Sequence, residues 1–160
     1  MATHAQRQHL LALMRLTLAH EPQIHYLQRR PMRLVHYTEH DFETLLEHGT
    51  QFAADCSESV TALCKWAGLH DPNGLHYDGY GNTESMYRHL PHYADPRAAG
   101  LGALCVFGPG GADHVVMVMQ PGDDPWTWSH GAENGPRRVR WSVERAVHRP
   151  PATFLSIAHL

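Results

Sequence analysis

Cys56 is the residue of this chain whose chemistry is most distinctive, because it lies at the predicted start of a helix. Asp55 and Ser57 are both suitable N-cap residues, and apolar residues then recur at three- and four-residue spacing until Gly68. This pattern predicts an amphipathic helix over residues 55–67. Unpaired backbone N–H groups and the positive end of the helix dipole favour a reactive thiolate in the first turn. The alternative is a small cysteine buried in the core, which is a common environment for that residue.

Two histidines lie at the ends of strand-like segments further along the chain. His114 opens the apolar segment 114–119, and His130 closes the segment 126–130. If these are neighbouring antiparallel strands joined by a turn, the start of the first and the end of the second meet at one end of the sheet. A histidine pair can then form beside Cys56. Such a set supplies the nucleophile, base and orienting group of papain-like enzymes.

The same three residues also suit a metal ion. One cysteine and two histidines are three of the four ligands of a common type of zinc site. The sequence holds fifteen histidines, so a histidine at one strand end is weak information by itself. Residue spacing alone therefore leaves the catalytic and the zinc interpretations open.

Composition limits the class of protein. A chain of 160 residues suits one domain with a real core, and an apolar content of 42% excludes a disordered protein. The formal net charge of −3 gives no preference for nucleic acid or for an anionic membrane. Three cysteines, an odd number, do not form a disulfide framework, so a reducing compartment is the simpler assumption.

The N-terminus carries no secretory signal that we recognise. The apolar segment 10–14 is short, Arg15 interrupts it, and no small-residue cleavage site follows. No apolar run is long enough to span a bilayer. We therefore expect synthesis in the cytoplasm without a signal peptide and no membrane insertion. If the substrate lies outside the membrane, another factor must deliver the protein.

The elements that would position Cys56 are helices first and strands afterwards. An amphipathic helix over 3–19 and a short helix capped by Thr38 precede the Cys56 helix, with an irregular stretch over 24–37 between them. A long turn-rich loop over 68–82 and a short helix capped by Thr83 follow it. The second half then holds five short segments rich in β-branched and aromatic residues, at 103–107, 114–119, 126–130, 138–141 and 153–157.

This order of elements predicts an α+β domain in which the Cys56 helix packs on one face of a small antiparallel sheet. We divide the chain into an N-terminal helical extension, residues 1–36, and a main domain, residues 37–160.

The ordered motifs resemble one family. Asp55-Cys56-Ser57, then His114-Val115, then Ser129-His130-Gly131 is similar to the pattern of the NlpC family of cell-wall cysteine peptidases, over roughly residues 52–157. The helix end at 66–69 resembles the versions that actinobacterial phages carry as lysins or tail-associated enzymes.

The resemblance implies a papain-like fold and a peptidoglycan hydrolase that cleaves stem peptides, commonly between D-glutamate and diaminopimelate or lysine. Cys56 would be the nucleophile, His114 the general base and His130 the polar group that orients it, with no metal or cofactor. The implied partner is the peptidoglycan stem peptide, with a holin or phage tail proteins as further candidates and no nucleic acid.

Three features depart from the family pattern. Glu58 stands where glycine usually follows Asp-Cys-Ser, one glycine, Gly49, precedes the cysteine where a pair is usual, and Gly102-Ala103 replaces the usual Gly-Asp. The residues of the substrate pocket therefore do not map from the family. Two alternatives remain: an amidase of CHAP type that cuts between muramic acid and L-alanine, and a non-enzymatic phage structural or wall-binding module.

Overall fold

The computed structural model describes residues 1–131 and 135–159. In these ranges the chain is a mixed α+β structure, as predicted. Its α-helices are α1 (His4–Ala19), α2 (Glu39–Glu47), α3 (Cys56–Trp66), α4 (Thr83–His89) and α5 (Trp141–Val147).

Side-chain caps fix where the helices begin. Thr3 accepts a hydrogen bond from the backbone of Gln6 at the start of α1, and Thr38 caps α2 in the same way. The predicted cap of α4 is wrong by one residue. Asn82, rather than Thr83, accepts the N–H of Ser85 at 2.9 Å, because its side-chain oxygen completes a capping box there.

The main sheet contains the five predicted strands. They are β3 (Leu104–Phe107), β4 (His114–Gln120), β5 (Trp126–Ser129), β6 (Arg137–Arg140) and β7 (Ala152–Leu155). The order across the sheet is β6-β5-β4-β3-β7, and every neighbouring pair is antiparallel. The start of β4 and the end of β5 therefore meet at one end of the sheet, as predicted.

Three elements were not predicted. β1 (Ile24–Tyr26) lies in the stretch predicted to be irregular and pairs in parallel with β2 (Phe52–Ala54). Helix α5 begins at Trp141, a residue predicted to end a strand. Three-residue strands are too short to show a periodicity, and the pairing partner of β1 is distant in sequence.

The two faces of the main sheet bury different sets of side chains. On β4, Val115, Met117 and Met119 belong to the large core together with the apolar residues of α3. The alternate residues Val116 and Val118 belong to a smaller core. We call the two sides the α3 face and the α5 face, because Trp141, the first residue of α5, packs on the smaller core.

The N-terminal extension is part of the same core. Leu10, Leu13 and Met14 of α1 are buried in the large core with α3. The predicted extension thus completes the main domain.

None of the helices within residues 1–131 and 135–159 combines the length and the apolar character needed to cross a bilayer.

Candidate active site

Cys56 is the first residue of α3, as predicted. Asp55 caps the helix, since its Oδ1 atom accepts the N–H of Glu58 at 2.7 Å and the hydroxyl of Ser57 at 2.8 Å. Cys56 is 5% exposed, and the backbone N–H groups of Val115 and Ser57 lie near its sulfur and act to lower its pKa. Val115 directly follows His114 in β4. The helix N-terminus and the start of β4 are therefore in contact.

The thiol is not ionised in this state. Burial and the carboxylate of Asp55 raise the pKa of Cys56 to about 12, although the two N–H groups and Arg30 act in the opposite direction. The thiolate predicted from the helix dipole is therefore not the resting form at neutral pH. Desolvation of a buried sulfur outweighs the dipole here.

His114 lies on the α5 face, where its ring is 3% exposed as a residue. Its Nε2 atom is 2.9 Å from the hydroxyl oxygen of Ser129 on the neighbouring strand β5. The ring also stacks on that of His148, with 4.3 Å between the ring centroids and 16° between the planes.

Two carboxylates extend this contact into a network. Glu144 of α5 lies 2.9 Å from Nε2 of His148, and the Ser129 side chain helps to stabilise its ionised form. Asp113, just before β4, lies 3.2 Å from Nδ1 of the same His148.

These contacts set the charges of the network. Burial acts to raise the pKa of Glu144, but the hydrogen bond from His148 and the neighbouring His114 and Ser129 hold that pKa below the ordinary value. Burial likewise opposes, without preventing, a lowered pKa of Asp113, which the backbone N–H of Arg149 and the side chain of His148 stabilise as the anion. The pKa of His148 is raised despite its burial, because Glu144 and Asp113 favour its charged form.

His130 lies on the other face of the sheet. It is fully buried, and its Nδ1 atom is 2.8 Å from the hydroxyl oxygen of Ser59 on α3. The ring meets that of Tyr26 edge-on at 5.8 Å between centroids.

The described contacts of His114 and His130 lie on different faces of the sheet. In the register of β4 and β5, Val116 lies opposite Ser129. Successive side chains of a strand point to opposite faces, so Ser129 shares the α5 face with His114 while His130 points to the α3 face. Ser129 is the residue of β5 whose side chain is shown to meet His114.

The zinc interpretation also changes. Within the described part of the chain, the group of side chains close enough to hold an ion is His114, Glu144 and His148, with ligand atoms within 4.8 Å of one another. Cys56 does not belong to it. Both nitrogens of His148 already face carboxylates, and the two rings are nearly parallel, so their nitrogens do not converge on one point. This is the geometry of a hydrogen-bond network.

A cavity of about 410 Å³ opens beside Cys56. Arg30 lies on the wall of this cavity. Its guanidinium donates hydrogen bonds to Asp55 at 2.8 Å and to the Ser57 hydroxyl at 2.7 Å. The wall carries both signs of charge, with arginines on the segment after β1 and carboxylates near α4 and β4. Its charged residues are Arg29, Arg30, Asp55, Glu84 and Asp113.

Glu58, the departure from the family pattern, has a structural role. It is completely buried, and its Oε1 atom accepts the backbone N–H groups of Arg33 at 2.6 Å and Leu34 at 2.9 Å. Arg29 lies 3.6 Å from the same oxygen. Glu58 thus ties the segment that carries Arg29 and Arg30 to the first turn of α3.

Several residues of the site were not singled out from the sequence. Ser129 stood next to His130 in the recognised motif, and only the pleat of the strand distinguishes the two. The spacing of Glu144 and His148, four residues apart, is a helical signal that recognition of α5 would have revealed. Arg30 has no such signal, because its position depends on the pairing of β1 with β2.

No family model, no curated protein and no solved structure matches this chain.

Proposed function

We propose that this protein is a cysteine endopeptidase of peptidoglycan with a papain-like site. Cys56 is the nucleophile, His114 the general base, and Ser129 takes the orienting position first assigned to His130. The contact of Cys56 at the capped start of α3 with the first residues of β4, on the wall of an open cavity, carries the proposal. The ordered Cys and His motifs supply the substrate class.

The reaction starts from a neutral thiol. His114 removes the thiol proton as the sulfur attacks the carbonyl carbon of the scissile amide, forming a tetrahedral oxyanion. Backbone N–H groups at the start of α3 stabilise that oxyanion. His114 then gives its proton to the leaving amine, and water hydrolyses the acyl-enzyme by the reverse sequence of proton transfers.

The charges of the cavity support a stem peptide as substrate. A peptide that contains D-glutamate and diaminopimelate carries free carboxylates and an ammonium group. Arg29 and Arg30 suit the carboxylates, and Glu84 and Asp113 suit the ammonium group. The proposed bond is of the D-glutamyl–diaminopimelate type, in phage-mediated lysis or infection with delivery by a holin or a tail assembly.

Digestion of purified peptidoglycan tests this function. We expect the wild-type protein to release new amino groups, with mass spectrometry of the fragments locating the cut after D-glutamate. Cys56→Ala should abolish release, while Cys64→Ala, which removes a core thiol, should retain it. A cut at the muramic acid linkage would identify an amidase instead. Equal activity of wild type and Cys56→Ala would exclude a cysteine mechanism.

A further inference from the structure

Arg30 joins three chain segments that surround the cavity beside Cys56. Its Nε atom donates to the backbone carbonyl of Gly81 at 2.8 Å, its Nη1 atom to Asp55 at 2.8 Å, and its Nη2 atom to the Ser57 hydroxyl at 2.7 Å. Gly81 directly precedes the capped start of α4, which lines the same cavity. One guanidinium group therefore holds together the segment after β1, the start of α3 and the start of α4.

The contacts of Arg30 with α3 are made to the two sequence neighbours of Cys56. The Ser57 hydroxyl donates to Oδ1 of Asp55 at 2.8 Å, so its oxygen accepts from Arg30. Oδ2 of Asp55 accepts from another nitrogen of the same guanidinium at 2.8 Å. The three side chains thus form a closed ring of hydrogen bonds, and the planar fork of an arginine suits such two-point contacts. The ring fixes the start of α3 on both sides of the thiol.

Asp55 also places a negative charge next to the sulfur. It is 4% exposed and, after burial, is the largest cause of the raised pKa of Cys56, whereas Arg30 acts to lower that pKa. Tyr26 of β1 lies near the same sulfur, since its own pKa is raised by burial first and by the charge of Cys56 second. Both side chains of the pair of Arg30 and Asp55 are largely shielded from water, so their charges act on the thiol with little screening. The other charged residues of the cavity wall are Arg29, Glu84 and Asp113.

We propose that Arg30 is a positioning residue that sets the reactivity of the Cys56 thiol, because it holds Asp55 and Ser57 in place and offsets the charge of Asp55. Its part in turnover rests on the proposed function, whereas the reactivity of the thiol is a property of the resting protein. Asp55 can then cap α3 with less opposition to a thiolate at the next residue.

The rate at which iodoacetamide alkylates Cys56, measured at several pH values and assigned by peptide mass, tests this role. Because the thiolate is the nucleophile, the rate below the pKa follows the thiolate fraction. Arg30→Met removes the positive charge and keeps a long side chain, so we expect alkylation to slow by about tenfold or more. Methionine is smaller than arginine and opens the cavity, which alone would speed the reaction.

A second change separates charge from packing. Arg30→Met combined with Asp55→Asn removes both members of the ion pair, and asparagine still caps a helix well. We expect this double variant to react within about threefold of wild type, because the charge that opposed the thiolate is removed together with its counter-charge. Arg30→Lys, which keeps the charge without the planar fork, should react at an intermediate rate. Arg88→Met, at an exposed position of α4, is the matched control and should keep the wild-type rate.

An unchanged rate in a folded Arg30→Met variant would overturn the proposal, with folding checked by circular dichroism. A double variant as slow as Arg30→Met would overturn it too, because removal of the Asp55 charge cannot repair a purely structural loss. If Arg30→Met does not fold, Arg30→Lys and the double variant decide, and a loss of about tenfold or more in both would refute the role of charge. Peptidoglycan digestion in parallel separates the two proposals, since absence of cleavage by wild type would refute the function and leave the role of Arg30 in thiol reactivity standing.

Discussion

The α3 face and the α5 face of the main sheet each bury one histidine, but they surround it differently. On the α3 face, the described neighbours of His130 are the hydroxyl of Ser59 and the rings of Tyr26 and Trp128. On the α5 face, His114 meets Ser129 and His148 and lies beside the carboxylate of Glu144.

The two environments suit different roles, one in packing and one in proton transfer. The hydrogen bond of His130 with Ser59 ties the end of β5 to α3 and so contributes to the stability of the fold. A histidine next to ionised groups has a protonation state that those groups help to set, which suits proton transfer. Under the proposed function, this contrast favours His114 as the general base.

The largest expected effect is on turnover. His114→Ala should lower kcat on peptidoglycan by about 10²- to 10⁴-fold, the usual contribution of a general base. His130→Ala should leave measurable turnover in the fraction that folds. Initial rates of amino-group release, normalised to folded protein, measure both. Equal losses in the two variants would contradict the division between the faces.

For stability, we expect the larger effect from His130→Ala rather than from His114→Ala. His130→Ala should lower the free energy of unfolding by about 2–4 kcal/mol, because it leaves a void in the core and removes the partner of the buried Ser59 hydroxyl. Urea denaturation followed by fluorescence measures the change. His40→Ala, at an exposed position of α2, is the control and should shift the value by less than about 0.5 kcal/mol. A shift for His130→Ala as small as that of the control would show that the α3 face does not depend on this ring.

The smallest effect concerns the pH dependence of stability on the α5 face. The pKa of His148 is raised on folding, so its contribution is complete below the ordinary histidine value and is lost as pH rises through the folded pKa. The pKa values of Asp113 and Glu144 are lowered, so their contributions are present above ordinary carboxyl values and are lost as pH falls. The ion pairs of His148 should therefore stabilise the protein most between about pH 5 and 7.

Melting temperatures of wild type and His148→Gln across this range measure that contribution. The side chain of His148 is 22% exposed and Asp113 is also partly exposed. The difference in the free energy of unfolding between wild type and His148→Gln, obtained from the melting temperatures, should therefore stay below about 1 kcal/mol. It should shrink above the folded pKa of His148. A difference that is constant from acid to alkaline pH would show that His148 acts by packing alone.

Local patterns accounted for most of the secondary structure. Side-chain caps and apolar spacing predicted α1, α2 and α3, because helix signals act over a few residues. Runs of β-branched and aromatic residues predicted the five strands of the main sheet. The sequence did not predict β1, β2 or α5, since parallel pairing of residues twenty-eight positions apart and a seven-residue helix after a strand leave little local trace.

The candidate site shows the same limit at the level of single residues. Cys56 was predicted at its observed position because a cap and a helix start are local features. Ser129 and His130 are adjacent in sequence, and the identity of the residue that meets His114 depended on strand register. Glu58, read from the sequence as a departure from a family pattern, is in the structure a buried anchor for the backbone of Arg33 and Leu34.

What the sequence determined by itself was the set of elements and the presence of a cysteine at a helix start with histidines at two strand ends. The tertiary structure alone decided which side chains meet. The pleat assigned His114 and His130 to opposite faces, and burial beside Asp55 kept Cys56 a thiol. The packing of α5 brought Glu144 and His148 to His114. Helix and strand formation depend on neighbours in sequence, whereas protonation and hydrogen-bond direction depend on neighbours in space.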